Sequence, residues 1–127
     1  MKFKNDKYKS SRSGYSRILD ISCRKCDKHI LFYQKDGPGN LRRMYMDRII
    51  NPEELNKNQY KNIKDIPPLK CSKCKEILAH PYLYKKEKRN AYRLFADSVI
   101  KKIVSMNYYS KRNKQKIYKE KIIKIKI

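Results

Sequence analysis

Four cysteines stand in two identical pairs, Cys23-Arg24-Lys25-Cys26 and Cys71-Ser72-Lys73-Cys74, and the chain has no others. A Cys-x-x-Cys turn aims two thiolates at one point in space. Two such turns supply four soft ligands, the number and type that close a tetrahedral zinc site. With four thiolates the shell has no open position, so such a site stabilises a fold and does not catalyse. Iron in the same cage, a redox dithiol or disulfides are the other chemistries open to these thiols. His29 and His80, the only histidines, follow the two pairs. They could replace a ligand, but four cysteines already fill the shell. No Ser/His/Asp constellation, paired-carboxylate motif or phosphate-binding helix motif is present, and the expectation is a protein that is not an enzyme and has no small-molecule substrate.

The second chemical feature is charge. The 127 residues hold 34 Lys and Arg against 12 Asp and Glu, a formal net charge of +22. Residues 1–17 carry +5, residues 18–100 carry +8 and residues 101–127 carry +9, so both ends are more basic per residue than the centre. An AT-rich coding bias would explain abundant Lys, Ile, Asn and Tyr, but it would enrich Asp and Glu as well. A chain this basic repels itself unless a polyanion neutralises it, and nucleic acid is the default polyanion. An anionic membrane and an acidic protein surface are the weaker alternatives. No run approaches the roughly 20 apolar residues of a membrane span. The start, Met1-Lys2-Phe3-Lys4, lacks the apolar run of a signal peptide, which points to a reducing, cytoplasmic setting where paired cysteines bind metal.

Candidate contacts follow from this charge. Arg is the minority cation, nine against twenty-five Lys, yet Arg42, Arg43 and Arg48 cluster around Tyr45 just after Asp36-Gly37-Pro38-Gly39-Asn40. A Gly-Pro-Gly turn can offer backbone N–H groups to a phosphate, and guanidinium can fork onto phosphate or stack on bases. The equally weighted reading is a hairpin with solvated arginines. Lys85, Lys86, Lys88, Arg89, Lys101, Lys102, Lys111, Arg112 and Lys114 are expected to neutralise phosphates without reading sequence. Tyr8 and Tyr15 could stack on bases from an N-terminal tail.

The elements that must position these residues read as follows. Ile18 to Ser22 and Ile30 to Tyr33 flank the first pair as strands. Leu69-Lys70 and Ile77 to Ala79 flank the second, so the halves look like equivalent hairpins around one metal. Residues 41–50 fit neither helical nor strand period and are read as a strand returning from the glycine turn. Asn51-Pro52-Glu53-Glu54-Leu55 reads as a helix start with Asn51 as cap. Tyr82-Leu83-Tyr84 reads as a strand, Lys85 to Arg89 as a solvated turn, and 91–104 as a strand turning into a helix. Residues 1–17 form a basic tail disordered when free, 18–105 the domain, and 106–127 a basic extension.

The two knuckles and their flanking strands, over roughly residues 18–84, resemble the zinc-ribbon superfamily. The resemblance implies a small β-rich (α+β) zinc-ribbon-like domain with a C-terminal helix or arm and basic tails. It also implies Cys23, Cys26, Cys71 and Cys74 as ligands of a structural Zn2+. Such knuckles usually carry Gly after the second Cys; here Asp27 and Lys75 stand there, and Asp tolerates a left-handed backbone better than Lys. A metal-stapled core with long basic extensions is similar to ribosomal and ribosome-associated zinc-ribbon proteins. That similarity implies binding to ribosomal RNA beside neighbouring ribosomal proteins, with no membrane partner. The alternatives are a zinc-ribbon accessory factor of transcription or replication that binds DNA or a polymerase, and a zinc-stabilised protein-interaction module.

Overall fold

The computed structural model describes residues 2–10 and 15–112, without the side chains of 9 and 10. The expected terminal charge run beyond 112 and the Ser-rich stretch 11–14 lie outside the described residues. After a one-turn helix α1 (Lys7–Ser10), strand β1 (Ser16–Cys23) and strand β2 (His29–Asp36) form an antiparallel hairpin around the first cysteine pair, with Leu19 opposite Tyr33 and Ile21 opposite Leu31. Successive side chains of a strand point to opposite faces. Ile18, Leu19, Asp20 and Ile21 are nevertheless all buried, so β1 is covered on both sides.

Gly37 and Gly39 take positive φ (74° and 107°) and turn the chain back. The segment read as one strand is in fact three pieces: β3 (Arg43–Tyr45), a 3-10 turn (Met46–Arg48) and β4 (Ile49–Asn51). β3 pairs with a different sheet from β4, so the chain changes layers at the 3-10 turn. That change explains why the apolar positions of 41–50 obey no single period. Helix α2 (Glu53–Lys57) follows, capped at Pro52 without a side-chain bond, while Asn51 closes β4 instead of serving as the expected cap. Asn90 holds the polar connection that follows, donating to the carbonyls of Asn58 (3.0 Å) and Lys61 (2.7 Å).

The second cysteine pair sits in a second hairpin, β5 (Leu69–Lys70) and β6 (Ile77–Tyr84); then come β7 (Arg89–Leu94) and β8 (Val99–Val104). The expected helix in 91–104 is thus a strand. The β-branched run Val99, Ile100, Ile103, Val104 suits an extended edge better than a helix. Residues 95–98 turn the chain from one sheet to the other. The first sheet has order β4-β2-β1-β8 and the second β3-β7-β6-β5, each antiparallel throughout.

The two sheets enclose the main core. Leu19, Ile21, Leu31 and Tyr33 meet Met44, Leu69, Leu78, Ala79 and Tyr92 there, and Cys23 and Cys71 belong to the same cluster. The other face of the first sheet is covered by Phe3 and by a helical segment over 106–112, α3, which buries Tyr109 edge-on against Phe32 at 5.0 Å. Ser105 caps α3: its hydroxyl accepts from the Tyr108 N–H at 3.0 Å. Residues 2–8 and 106–112, read from the sequence as parts of a tail and an extension, therefore pack on this domain. The N-terminal segment is tied down by paired bonds between the Lys4 backbone and the Gln34 amide, at 2.8 and 2.9 Å. No helix among the described residues is long and apolar enough to cross a membrane.

Candidate metal centre and basic surface

Both cysteine pairs adopt one local geometry. In the first, the Cys23 N–H donates to the Lys28 carbonyl (2.8 Å) and the Asp27 N–H to the Cys23 carbonyl (2.9 Å). In the second, the Cys71 N–H donates to Glu76 (2.9 Å) and the Lys75 N–H to Cys71 (3.0 Å). The residue after each second cysteine must turn left-handed: Asp27 has φ 62° and Lys75 φ 66°. The missing glycines thus cost strain but leave the turn intact, in the Lys75 knuckle as much as in the Asp27 one.

The main core brings the hairpins together at their cysteine ends. Cys23 Sγ lies 3.6 Å from Cys74 Sγ, and Cys26 Sγ 3.4 Å from Cys71 Sγ. All four sulfurs lie within 4.8 Å of one another and none is in a disulfide. Zinc–thiolate bonds of about 2.3 Å place tetrahedral sulfurs about 3.8 Å apart, so this donor set fits a metal ion with little adjustment. Neither histidine joins the cluster. His29 Nδ1 instead lies 2.6 Å from the buried Asp20 carboxylate, and the exposed His80 meets Phe95 edge-on.

The thiols differ in acidity. Burial pushes Cys71 up, but the Cys74 and Lys73 amides and the Cys26 and Cys74 thiols outweigh it and lower it to about 6. For Cys26 the Lys28 amide pulls downward, yet burial and proton sharing with the other three thiols raise it to about 11. The backbone amides are directed at sulfur, as a thiolate cage requires. Across the top of the site Lys25 reaches Glu76 at 3.4 Å.

The basic residues singled out from the sequence divide sharply. Arg48 is buried, donating to Asp36 Oδ2 at 2.8 Å and to Asp6 Oδ2 at 3.0 Å. Arg89 is buried too, bonded to Asp47 (2.6 Å) and Glu87 (2.9 Å) and held between the rings of Tyr8 and Tyr45. These two guanidinium groups bind the fold's own carboxylates. Tyr45 is buried, and Arg43 is half-buried over the Tyr84 ring at 4.0 Å. Arg42, Lys85, Lys86, Lys88, Lys101, Lys102, Lys111 and Arg112 are exposed. Among these, Lys101 also donates to the Leu41 carbonyl (2.8 Å) and Arg112 lies 3.7 Å from Asp20. Lys114 lies outside the described residues.

The glycine turn borders a cleft of about 300 Å³ lined by Lys35, Arg42 and Arg43. Its Gly37 N–H is already bonded to the Tyr15 carbonyl at 2.8 Å, so that amide is not one a phosphate could use. Sequence reasoning passed over Arg93, Tyr82 and Tyr84, which strand pairing assembles on one sheet face with Arg43. Alternation of Tyr82 and Tyr84 in a strand was the one local signal for them. Comparison with protein-family models, with curated proteins and with solved structures finds no match. The geometry is compatible with a zinc ribbon: two hairpin knuckles around one four-cysteine cluster, in a small β-rich domain of two sheets.

Proposed function

We propose that this protein is a non-catalytic, zinc-stabilised nucleic-acid-binding protein of the cytoplasm. RNA is its favoured partner, and ribosomal RNA is the specific RNA proposed. Four cysteine sulfurs within 4.8 Å of one another support zinc, whose binding free energy would be part of the folding free energy. The observation that carries nucleic-acid binding is the +22 charge. After Arg48 and Arg89 are spent internally, exposed cations still stand on the turn after β2, the β6–β7 turn, β8 and α3. A dispersed basic surface without a major-groove helix suits the backbone of folded RNA better than base readout in duplex DNA.

The test is a binding titration of the zinc-loaded chain against a folded ribosomal RNA fragment, a duplex DNA and an acidic protein, over a salt series. The expected result is tighter binding to the RNA and a linear fall of log K with log salt, its slope set by the phosphates neutralised. Equal or tighter binding to DNA would move the reading to an accessory factor of transcription or replication. Salt-independent binding to protein alone would remove nucleic acid altogether.

A further inference from the structure

We infer that the outer face of the second sheet is a stacking platform for single-stranded nucleic acid. This rests on the proposed nucleic-acid function and names its surface and the form of its ligand. The first sheet is sandwiched between the main core and α3, whereas the outer face of the second is covered only in part: Tyr45, Ala91 and Arg89 are buried on it, with Tyr8 over Arg89, while Arg93 is exposed and Tyr82 and Tyr84 are half-buried. Met44, Tyr92 and Ala79 point into the core. In β3 and β7 their strand neighbours then lie on the outer face. Register sets Arg43 beside Arg93 and His80, and Tyr45 beside Ala91 and Tyr82, with Tyr84 opposite Arg89.

This face is organised around flat groups. Ala91 occupies its centre, and its single methyl leaves room for larger neighbours to lie across it. Arg43 lies over the Tyr84 ring at 4.0 Å, and the Tyr45 and Tyr84 rings are 5.8 Å apart. Arg89 is stacked 3.6 Å from the Tyr45 centroid and 4.0 Å from that of Tyr8, with its charge met by Asp47 and Glu87. Arg43 and Arg93, by contrast, pair with no carboxylate among the described residues. Arg93 is exposed, and Tyr82 and Tyr84 are half-buried, so planar surface remains open.

Charge brackets the face at both ends. The β6–β7 turn carries exposed Lys85, Lys86 and Lys88. At the other end, Arg42, Arg93 and Lys101 line a cleft of about 450 Å³, with Phe95 in its wall and Asp97 as its one carboxylate. Tyrosine rings and guanidinium planes stack on unpaired bases while flanking cations meet the phosphates. A duplex keeps its bases stacked inside and cannot use such a surface. A polyanion with free planar faces is a single strand, and the chain's charge selects it over an apolar or basic protein.

The experiment uses the full zinc-loaded chain with fluorescent oligouridylate, oligothymidylate and an RNA hairpin stem at several salt concentrations. Tyr82→Ala/Tyr84→Ala should weaken oligouridylate binding at least tenfold with an unchanged salt slope, because each lost ring removes a stacking contact to a base but no phosphate contact. Binding to the hairpin stem should not move. Tyr82→Phe/Tyr84→Phe keeps the rings and the packing and should bind like wild type, which guards against a folding defect in the alanine variant. Oligothymidylate bound as tightly as oligouridylate would make the platform indifferent to sugar; weaker binding would make it RNA-selective. Either result fits a stacking face. Wild-type binding that is salt-dependent but equal in the alanine variant would overturn the platform and leave the nucleic-acid function standing. No binding of any of the three probes by the wild type would overturn both.

Discussion

Replacing Arg48 with Met should damage the fold and show that this arginine belongs to the interior. Its side chain is 1% exposed and that of Asp36 4%. Removing the cation leaves a carboxylate in the interior, a loss of about 3–5 kcal/mol for a broken buried pair. Asp36 keeps bonds from the Ser16 hydroxyl (2.6 Å) and the Gln34 amide (3.0 Å), and Asp6 is one-third exposed and can rehydrate. These facts favour the low end, about 3 kcal/mol, which for a chain of this size lowers Tm by about 10 °C. The sign of the pH dependence is specific. Burial alone would raise the Asp36 carboxyl, but Ser16, Gln34 and Arg48 together hold it below its usual value. Its contribution is therefore present above the unfolded pKa of about 3.9 and is lost as pH falls through the lower folded value. Without Arg48 that preference reverses, since a buried carboxylate favours its proton. The gap between wild type and variant should be widest at neutral pH and close in acid. Thermal melts of the zinc-loaded proteins at neutral and acidic pH measure this. Adding Asp36→Leu to Arg48→Met should recover much of the loss, because an apolar pair leaves no buried charge. An Arg48→Met protein that melts within 2–3 °C of wild type at neutral pH, on the scale expected for about 1 kcal/mol or less, would refute the reasoning.

Lys75→Gly should stabilise by about 0.5–1 kcal/mol, because Lys75 is held at φ 66° and glycine adopts that conformation freely; an unchanged or lower melting temperature would contradict the knuckle geometry. Metal binding must displace thiol protons, so affinity should fall with pH, and the slope of log Kd against pH should steepen by about one proton below about 6, where Cys71 is protonated in the metal-free protein. A competition titration with a chromophoric chelator reads this directly, and a slope that stays constant through that range would count against it. Cys71→Ser should lower metal occupancy and the melting transition together, measured by elemental analysis and calorimetry; a metal-free variant with the wild-type transition would sink the structural role of the site.

The four-cysteine cluster was legible in the sequence because a Cys-x-x-Cys knuckle is local. Four consecutive residues and their flanking strands set the direction of two thiols, and a second copy leaves one sensible meeting point. The hairpins around Cys23–Cys26 and Cys71–Cys74 follow from the same short-range pattern. Residues 41–51 were not legible because they pass between two sheets, and no single periodicity describes a segment whose inside changes direction at Met46–Arg48. Residues 99–104 were misread because an edge strand with one open face leaves its apolar residues at spacings a helix could also use. The roles of the arginines were beyond the sequence for another reason. Arg42 and Arg48 look alike in a basic run, yet one is exposed and the other is enclosed by Asp6 and Asp36, partners 42 and 12 residues away. The face formed by Arg43, Arg93, Tyr82 and Tyr84 exists only through the register of three strands. Composition alone determined that the chain is strongly basic and that its thiols could share one ion. Tertiary structure decided which cations face solvent, because burial and ion pairing depend on contacts between residues far apart in the chain.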